Sequence, residues 1–193
     1  MRIDYRWSRN DRTRLNQQAA ELISLGPDVV LAGVGGTTPA LQHVSRTVPI
    51  VFAQNIDPVG AGAVVSLSRP GTNATGFTQF EYTLSAKWLE LLREIAPGLA
   101  RAAVFRDADG FAGIGQWAVI QAAASPLGIE LTPIDPRDMR EVQRVVATLP
   151  QASGLIVAVS SAALRNREQI IELAARHKLP TVYAYRHYVA AGG

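Results

Sequence analysis

No cysteine occurs among the 193 residues, which excludes disulfides, thiolate metal centres and cysteine nucleophiles. No apolar run approaches the roughly 18 residues that a membrane-spanning helix needs. The opening MRIDYRWSRNDR lacks the apolar stretch of a secretory signal; with Met1 as the true start, the expected location is the cytoplasm. Neither GxSxG nor HExxH is present. The only histidines, His43, His177 and His187, share no metal-ligand spacing. The expectation is therefore no enzyme, no metal and no cofactor. Net charge is +3 with a pI near 9.6, but the arginines are scattered along the chain, so no nucleic-acid partner is expected. Charged residues make up 18% and hydrophobic ones 48%, a balance that builds a packed core and not a disordered chain.

What is present is alternation. Short β-branched runs are followed by amphipathic stretches, the pattern of parallel strands joined by crossover helices. The spacing predicts strands over 2–7, 28–34, 48–54, 101–107, 129–134, 154–160 and 181–185. It predicts helices within 11–25, after Thr38, within 82–96, and over 112–125, 138–148 and 162–177. Residues 58–79 concentrate Gly, Pro, Ser and Thr without a helical period and read as a connection between lobes. The fold class is α/β, with two domains: 1–79, a partial N-terminal lobe with its hinge segment, and 80–193, a complete C-terminal lobe.

Polar candidates cluster where strands end. Gly35, Gly36, Thr37, Thr38 and Pro39 stand between a strand and a helix start, where bare backbone N–H groups and the positive end of the helix dipole attract a carboxylate or phosphate. The same residues also suit a plain tight turn with a Thr cap. Neither GxxxxGK[ST] nor GxGxxG is formed, so a nucleotide loop is not expected. Asn55 and Asp57 lie just past a buried strand, at the edge where open α/β sheets carry ligands. Asp57 precedes Pro58 and is expected to be extended, serving either a ligand ammonium or an Asx turn. Phe77 and Phe80 lie near the lobe junction and serve either a ligand cleft or interlobe packing. In the second lobe Asp107, Ser160, Ser161 and Tyr185 end strands; the two serines suit helix caps equally well.

The strings TVPIVFAQNIDPVGAGAVVSLSRPGTNATGF, SAKWLELLREIAPG and ELAARHKLPTVYAYRHYVAAGG closely resemble the bacterial ABC-transporter substrate-binding proteins of the family with tryptophan- and aromatic-amino-acid-binding members. The resemblance spans essentially the whole chain. It implies a type I periplasmic-binding-protein-like fold, two Rossmann-like lobes of parallel sheet flanked by helices, with a small amino-acid-like solute in the interlobe cleft and an ABC permease as partner. It places Gly36, Thr37 and Thr38 at the solute carboxylate, Asn55 and Asp57 on the neighbouring loop, and Phe77 and Gln79 near the hinge. It also implies a periplasmic or membrane-anchored location. The DADG turn at 107–110 departs from the Asn-Pro turn common in relatives, which weakens a ligand role for Asp107.

Members of this family carry a further strand and helix before the equivalent of Ile3–Trp7, and a further strand after the equivalent of Gly193, so the first lobe is expected to be incomplete. In a 2-1-3-4-5 sheet this opens a gap between the strands at 2–7 and 28–34, and pairing of the exposed edges as a homodimer is expected. Two other readings remain: a ligand-sensing regulatory module of the same fold, and a shortened relic that binds nothing.

Overall fold

The computed structural model describes residues 1–9, 11–33, 36–108 and 110–193, with Phe111 described by its backbone. The chain divides into two compact units, Met1–Glu81 and Tyr82–Gly193.

In the first unit, helix α1 (Arg12–Ser24) starts on Asp11, whose carboxylate accepts the Arg14 N–H at 2.9 Å, and turns Leu15, Ala19 and Ile23 to one side. Strand β1 (Val30–Ala32), helix α2 (Thr37–Val44) and strands β2 (Ile50–Asn55) and β3 (Ala74–Thr78) follow. The three strands pair in parallel in the order β1-β2-β3, with Val30, Ile50 and Ala74 in one row of the register. Val30, Ala32, Ile50, Phe52 and Ala74 are buried with Ala19 of α1 and Ala40 and Leu41 of α2. Strand residues alternate faces, so Leu31, Val51, Thr75 and Phe77 point the other way. Leu31 is 73% and Phe77 79% exposed, although parallel sheets are ordinarily covered on both faces.

Three expectations for this unit are corrected. Residues 2–7 form no strand. Their alternation of Ile3, Tyr5 and Trp7 is strand-like, but a strand exists only where a ladder partner takes its backbone groups. Here the segment is held to α1 instead, by Arg6 to Glu21 at 3.3 Å and Gln18 to the Trp7 carbonyl at 3.4 Å. The three strands are consecutive in the sheet, so it has no central gap, and β1 is an edge. The segment 58–79 is not wholly a connection, since β3 lies within it. The Asn73 side chain donates to the carbonyls of Ser45 and Val48 at 3.1 and 2.8 Å and anchors the start of that strand.

The second unit contains α3 (Leu84–Ile95), β4 (Arg101–Phe105), α4 (Phe111–Ala124), a 3-10 turn over Ser125–Leu127, β5 (Glu130–Ile134), α5 (Met139–Ala147), β6 (Ser153–Val157), α6 (Ser161–Arg165), α7 (Arg167–Arg176), β7 (Thr181–Tyr183) and α8 (Arg186–Ala190). Its sheet is parallel throughout, in the order β5-β4-β6-β7. The central strands read as unbroken small or apolar runs, as burial on both faces requires. One core gathers Phe105, Ile134, Val142, Leu155, Ile170 and Tyr188, while Trp88, Leu89 and Leu92 of α3 are also buried. The helix expected over 162–177 is broken at Asn166, whose side chain turns away to donate to the Pro136 carbonyl at 3.0 Å. Helix α8 was not expected from the sequence pattern.

Candidate functional site

At the carboxyl ends of the first unit's strands, α2 begins on Gly36 with no side-chain cap. A helix start leaves N–H groups without intrahelical acceptors, and Pro39 removes one of these donors at the third helical position. Gly35 lies outside the described residues. Thr37 donates its hydroxyl to the Gly33 carbonyl at 3.2 Å. Thr38 is fully buried and among the described residues its Oγ1 has no hydrogen-bond partner; Asn55, at the end of the adjacent strand β2, is buried with Nδ2 in the same condition. A buried polar atom left unsatisfied costs about 1–3 kcal/mol, so two of them beside an uncapped helix start make a place that a polar ligand stabilises.

The β2 backbone is irregular just before Asn55. The register shifts between Phe52 and Asn55, and Gln54 adopts φ of 57°. The Asn55 carbonyl accepts the Gln79 N–H at 3.0 Å and the Thr78 hydroxyl at 2.9 Å. Asp57 is not extended, contrary to expectation: its φ is 44°, a region that Asp tolerates better than most residues. Its Oδ1 accepts the Gly60 N–H at 2.7 Å and its carbonyl the Ala61 N–H at 2.8 Å, and this local Asx turn outweighs the preference imposed by Pro58. Phe77 lies on the exposed sheet face, and Gln79 is exposed just beyond β3.

In the second unit Ser160 is buried and its oxygen accepts the N–H groups of Ala162 and Ala163, both at 3.1 Å, which makes it the N-cap of α6. Ser161 is the first residue of α6, and half-buried Tyr185 precedes α8 with its ring 5.9 Å from that of His187. Sequence reasoning missed Gln116 of α4. It is fully buried, accepts the Val159 N–H at 3.2 Å, and leaves Nε2 without a partner among the described residues. The available signal was an amide side chain, one of two with Gln121, in a helix otherwise rich in Ala, Gly and Ile.

Burial holds the Asp107 carboxyl above its ordinary range, against the opposing effects of the Ser160 hydroxyl, Arg137 and Arg165, with Asp135 reinforcing the rise. A carboxyl raised in the folded state binds protons more readily there than in the unfolded chain. Its contribution is therefore complete below the ordinary Asp value and is lost as pH rises through the raised one. Asp107→Asn keeps an oxygen for Ser160 and removes the charge. We expect it to melt higher than the parent at pH 7 in calorimetry, with the difference vanishing near pH 3.

Two depressions of about 480 and 360 Å³ lie elsewhere. One, bordered by Leu99, Pro150, Ser153 and Leu179, is at the amino ends of the second unit's strands. The other, bordered by Pro49, Pro70 and Asn73, is at the amino ends of β2 and β3. In each unit the depression is at the sheet edge opposite Thr38 and Asn55 or Gln116, and each is bordered by a partnerless polar atom of its own among the described residues, Ser153 Oγ in the first case and Asn73 Oδ1 in the second. Among the described residues no group of His, Cys, Asp or Glu is arranged to hold a metal ion, and no helix is long and apolar enough to cross a membrane.

A family model described as "ABC transporter substrate binding protein" matches residues 1–193. A tyrosine-binding protein of Clostridioides difficile is 30% identical over 97 residues, which are 50% of this chain and 28% of that protein. Among solved structures, a conserved domain protein from Vibrio cholerae superposes with a TM-score of 0.84 at 25% identity, covering 100% of this chain and 64% of the other. An ABC domain from Streptococcus pneumonia in complex with L-Trp superposes with a TM-score of 0.82 at 18% identity, covering 100% and 65%. The chain thus spans less than two thirds of the length of these relatives.

Proposed function

Because this chain belongs to the ABC transporter substrate-binding protein family, a family of binding proteins and not of enzymes, we propose that it binds a small amino-acid-like solute, aromatic ones included, for delivery to an ABC permease outside the cytoplasm. The observation that carries the proposal is the pair of buried, unsatisfied groups Thr38 Oγ1 and Asn55 Nδ2 beside the uncapped start of α2. A solute carboxylate meets the helix N–H groups and the Asn55 donor together. Gly36, Thr37, Asp57, Phe77 and Gln79 lie at or near the same strand ends. Ser160, Ser161 and Tyr185 are the candidate solute contacts at the strand ends of the second unit. The names of the relatives support the ligand class: one is a tyrosine-binding protein and another was solved with L-Trp.

The test is a thermal-shift and calorimetric panel of L-tyrosine, L-tryptophan, L-leucine, nucleosides and sugar phosphates. An amino acid is expected to raise the melting temperature. Thr38→Val is expected to lower affinity for that amino acid about tenfold, the worth of one charge-assisted hydrogen bond, while the unliganded melting temperature stays level or rises because a buried orphan hydroxyl has gone. A panel with no binder leaves the relic reading standing, and binding confined to a nucleoside or sugar phosphate favours the regulatory module.

Homodimer formation remains part of the proposal and has one support in the fold. The outer edge of β1 carries no strand among the described residues, with Leu31 standing on the bare face of the same sheet, while residues 2–7 are an exposed, strand-patterned segment without a ladder of its own. A second copy supplies each with the other. Light scattering is expected to give the mass of two chains, and Leu31→Lys the mass of one; a monomeric parent overturns the dimer.

A further inference from the structure

The depression of about 480 Å³ at the amino ends of the second unit's strands contains a polar atom that the solute reading does not use. Ser153 begins β6 and borders this space. It is 4% exposed, and its Oγ has no hydrogen-bond partner among the described residues. The next residue shows which way its side chain points. A Cβ added to Gly154 stands 3.0 Å from side-chain atoms of Leu92 and Leu99, on the face of the sheet that α3 covers. Strand side chains alternate between faces, so Ser153 shares the opposite face with Leu155, where Val146 of α5 is buried and Leu149 and Leu179 pack against the core. Val146, Leu149 and Leu179 border the depression as well, so the hydroxyl is directed at its floor. Buried polar groups ordinarily find a partner, and one that does not marks a place where a polar group from outside the chain is stabilising.

The surroundings define the rest of the guest. Besides the leucines, Pro97, Pro150 and Pro180 give the space apolar walls, and among the described residues that border it there is no Asp or Glu. The carboxyl ends of three helices meet here, α3 at Ala96, α5 just before Leu149 and α7 at His177. Each end carries about half a negative charge, which opposes an anion. Lys178 borders the same space and opposes a cation, while Arg176 beside it is bonded to Glu172. A guest of either sign therefore meets no surplus of the opposite charge, whereas an uncharged one gives up little on leaving water. The volume is within the range that small-molecule sites occupy.

We propose that this depression is a second binding site, for an uncharged phenol or apolar alcohol whose hydroxyl pairs with Ser153 Oγ and whose apolar body lies against Leu149, Leu179 and the three prolines. A hydroxyl on each partner both donates and accepts, so the pair satisfies Ser153 in either direction. The site is independent of the amino-acid reading above, since it uses the opposite ends of the second unit's strands.

The test is a titration of the full chain followed by amide chemical shifts, with four probes of one shape: p-cresol, p-xylene, 4-methylbenzoate and 4-methylbenzylamine. p-Cresol is expected to shift the amides of residues 149–153 and 177–179. It is expected to bind about five- to tenfold more tightly than p-xylene, which carries a methyl in place of the hydroxyl, and more tightly than either charged probe. Ser153→Ala is expected to bring p-cresol down to the affinity of p-xylene and to leave p-xylene unchanged. Leu149→Trp fills the space and is expected to abolish binding of both, with the fold checked by its melting transition. The site is overturned if p-cresol shifts no amides there, if its preference over p-xylene survives Ser153→Ala, or if a charged probe binds more tightly than p-cresol. Each of these results leaves amino-acid binding to be decided by its own panel.

Discussion

Replacing Gly76 with alanine is expected to unfold the first unit at temperatures the parent withstands, with a loss at or above about 3 kcal/mol, the upper end of overpacking costs. A Cβ at this position stands 1.9 Å from the Phe52 carbonyl oxygen and 2.8 Å from its carbonyl carbon. Both obstacles are backbone, so no rotamer change relieves them. The φ of 157° also lies where side chains are disfavoured. Relief requires β3 to separate from β2 at the Phe52–Gly76 step, next to the irregularity that sets Asn55. Solute affinity is therefore expected to fall together with stability. Gly98→Ala meets nothing within 4 Å and serves as control, with a change inside about 0.5 kcal/mol. A Gly76→Ala chain that melts with the parent in differential scanning calorimetry refutes the close approach.

The second unit is expected to be most sensitive at Tyr188. This is among the largest side chains fully buried in the protein, its ring stacked on that of Tyr183 with centroids 4.9 Å apart. Tyr188→Ala empties a ring-sized volume beneath a helix of five residues, too short to hold itself in place. The expected cost is about 3–5 kcal/mol, with α8 released from the core. Tyr188→Phe keeps the ring and is expected to cost under about 1.5 kcal/mol. The two variants also separate packing from ionisation. Burial pushes the Tyr188 phenol well above its ordinary value, and Tyr183 and Tyr185 beside it act in the same direction. The unfolded chain thus loses this proton first as pH rises. The associated stability is complete below about pH 10 and declines above it. Denaturant titrations at pH 8 and 10.5 are expected to show a smaller alkaline loss for Tyr188→Phe than for the parent.

The α/β class was legible because it depends on local periodicity. Leu15, Ala19 and Ile23 mark a helix face, and the buried runs around Phe105 and Leu155 mark central strands, wherever the rest of the chain goes. The strand ends at Thr38, Asn55 and Ser160 were legible for the same reason, since a turn following an apolar run places polar residues at the edge of a sheet. The errors have non-local causes. Residues 2–7 carry a strand pattern, yet a strand is a relation between two segments. β3 was hidden by its glycine, which is there because the Phe52 carbonyl comes so close. Asp57 followed its own Asx turn and not the rule for residues before proline.

From the order of residues came the alternation of strands and helices, the absence of cysteine chemistry and the set of polar residues at strand ends, because each is decided within a few residues of chain. Which of those polar atoms keeps a partner was decided only by folding. Ser160 is taken up by the α6 cap, Asp57 bonds Gly60, and among the described residues Thr38, Asn55 and Gln116 are left with an atom each without a partner. Hydrogen-bond satisfaction joins groups far apart in the chain, such as Gln116 with Val159, and no spacing rule reaches that far.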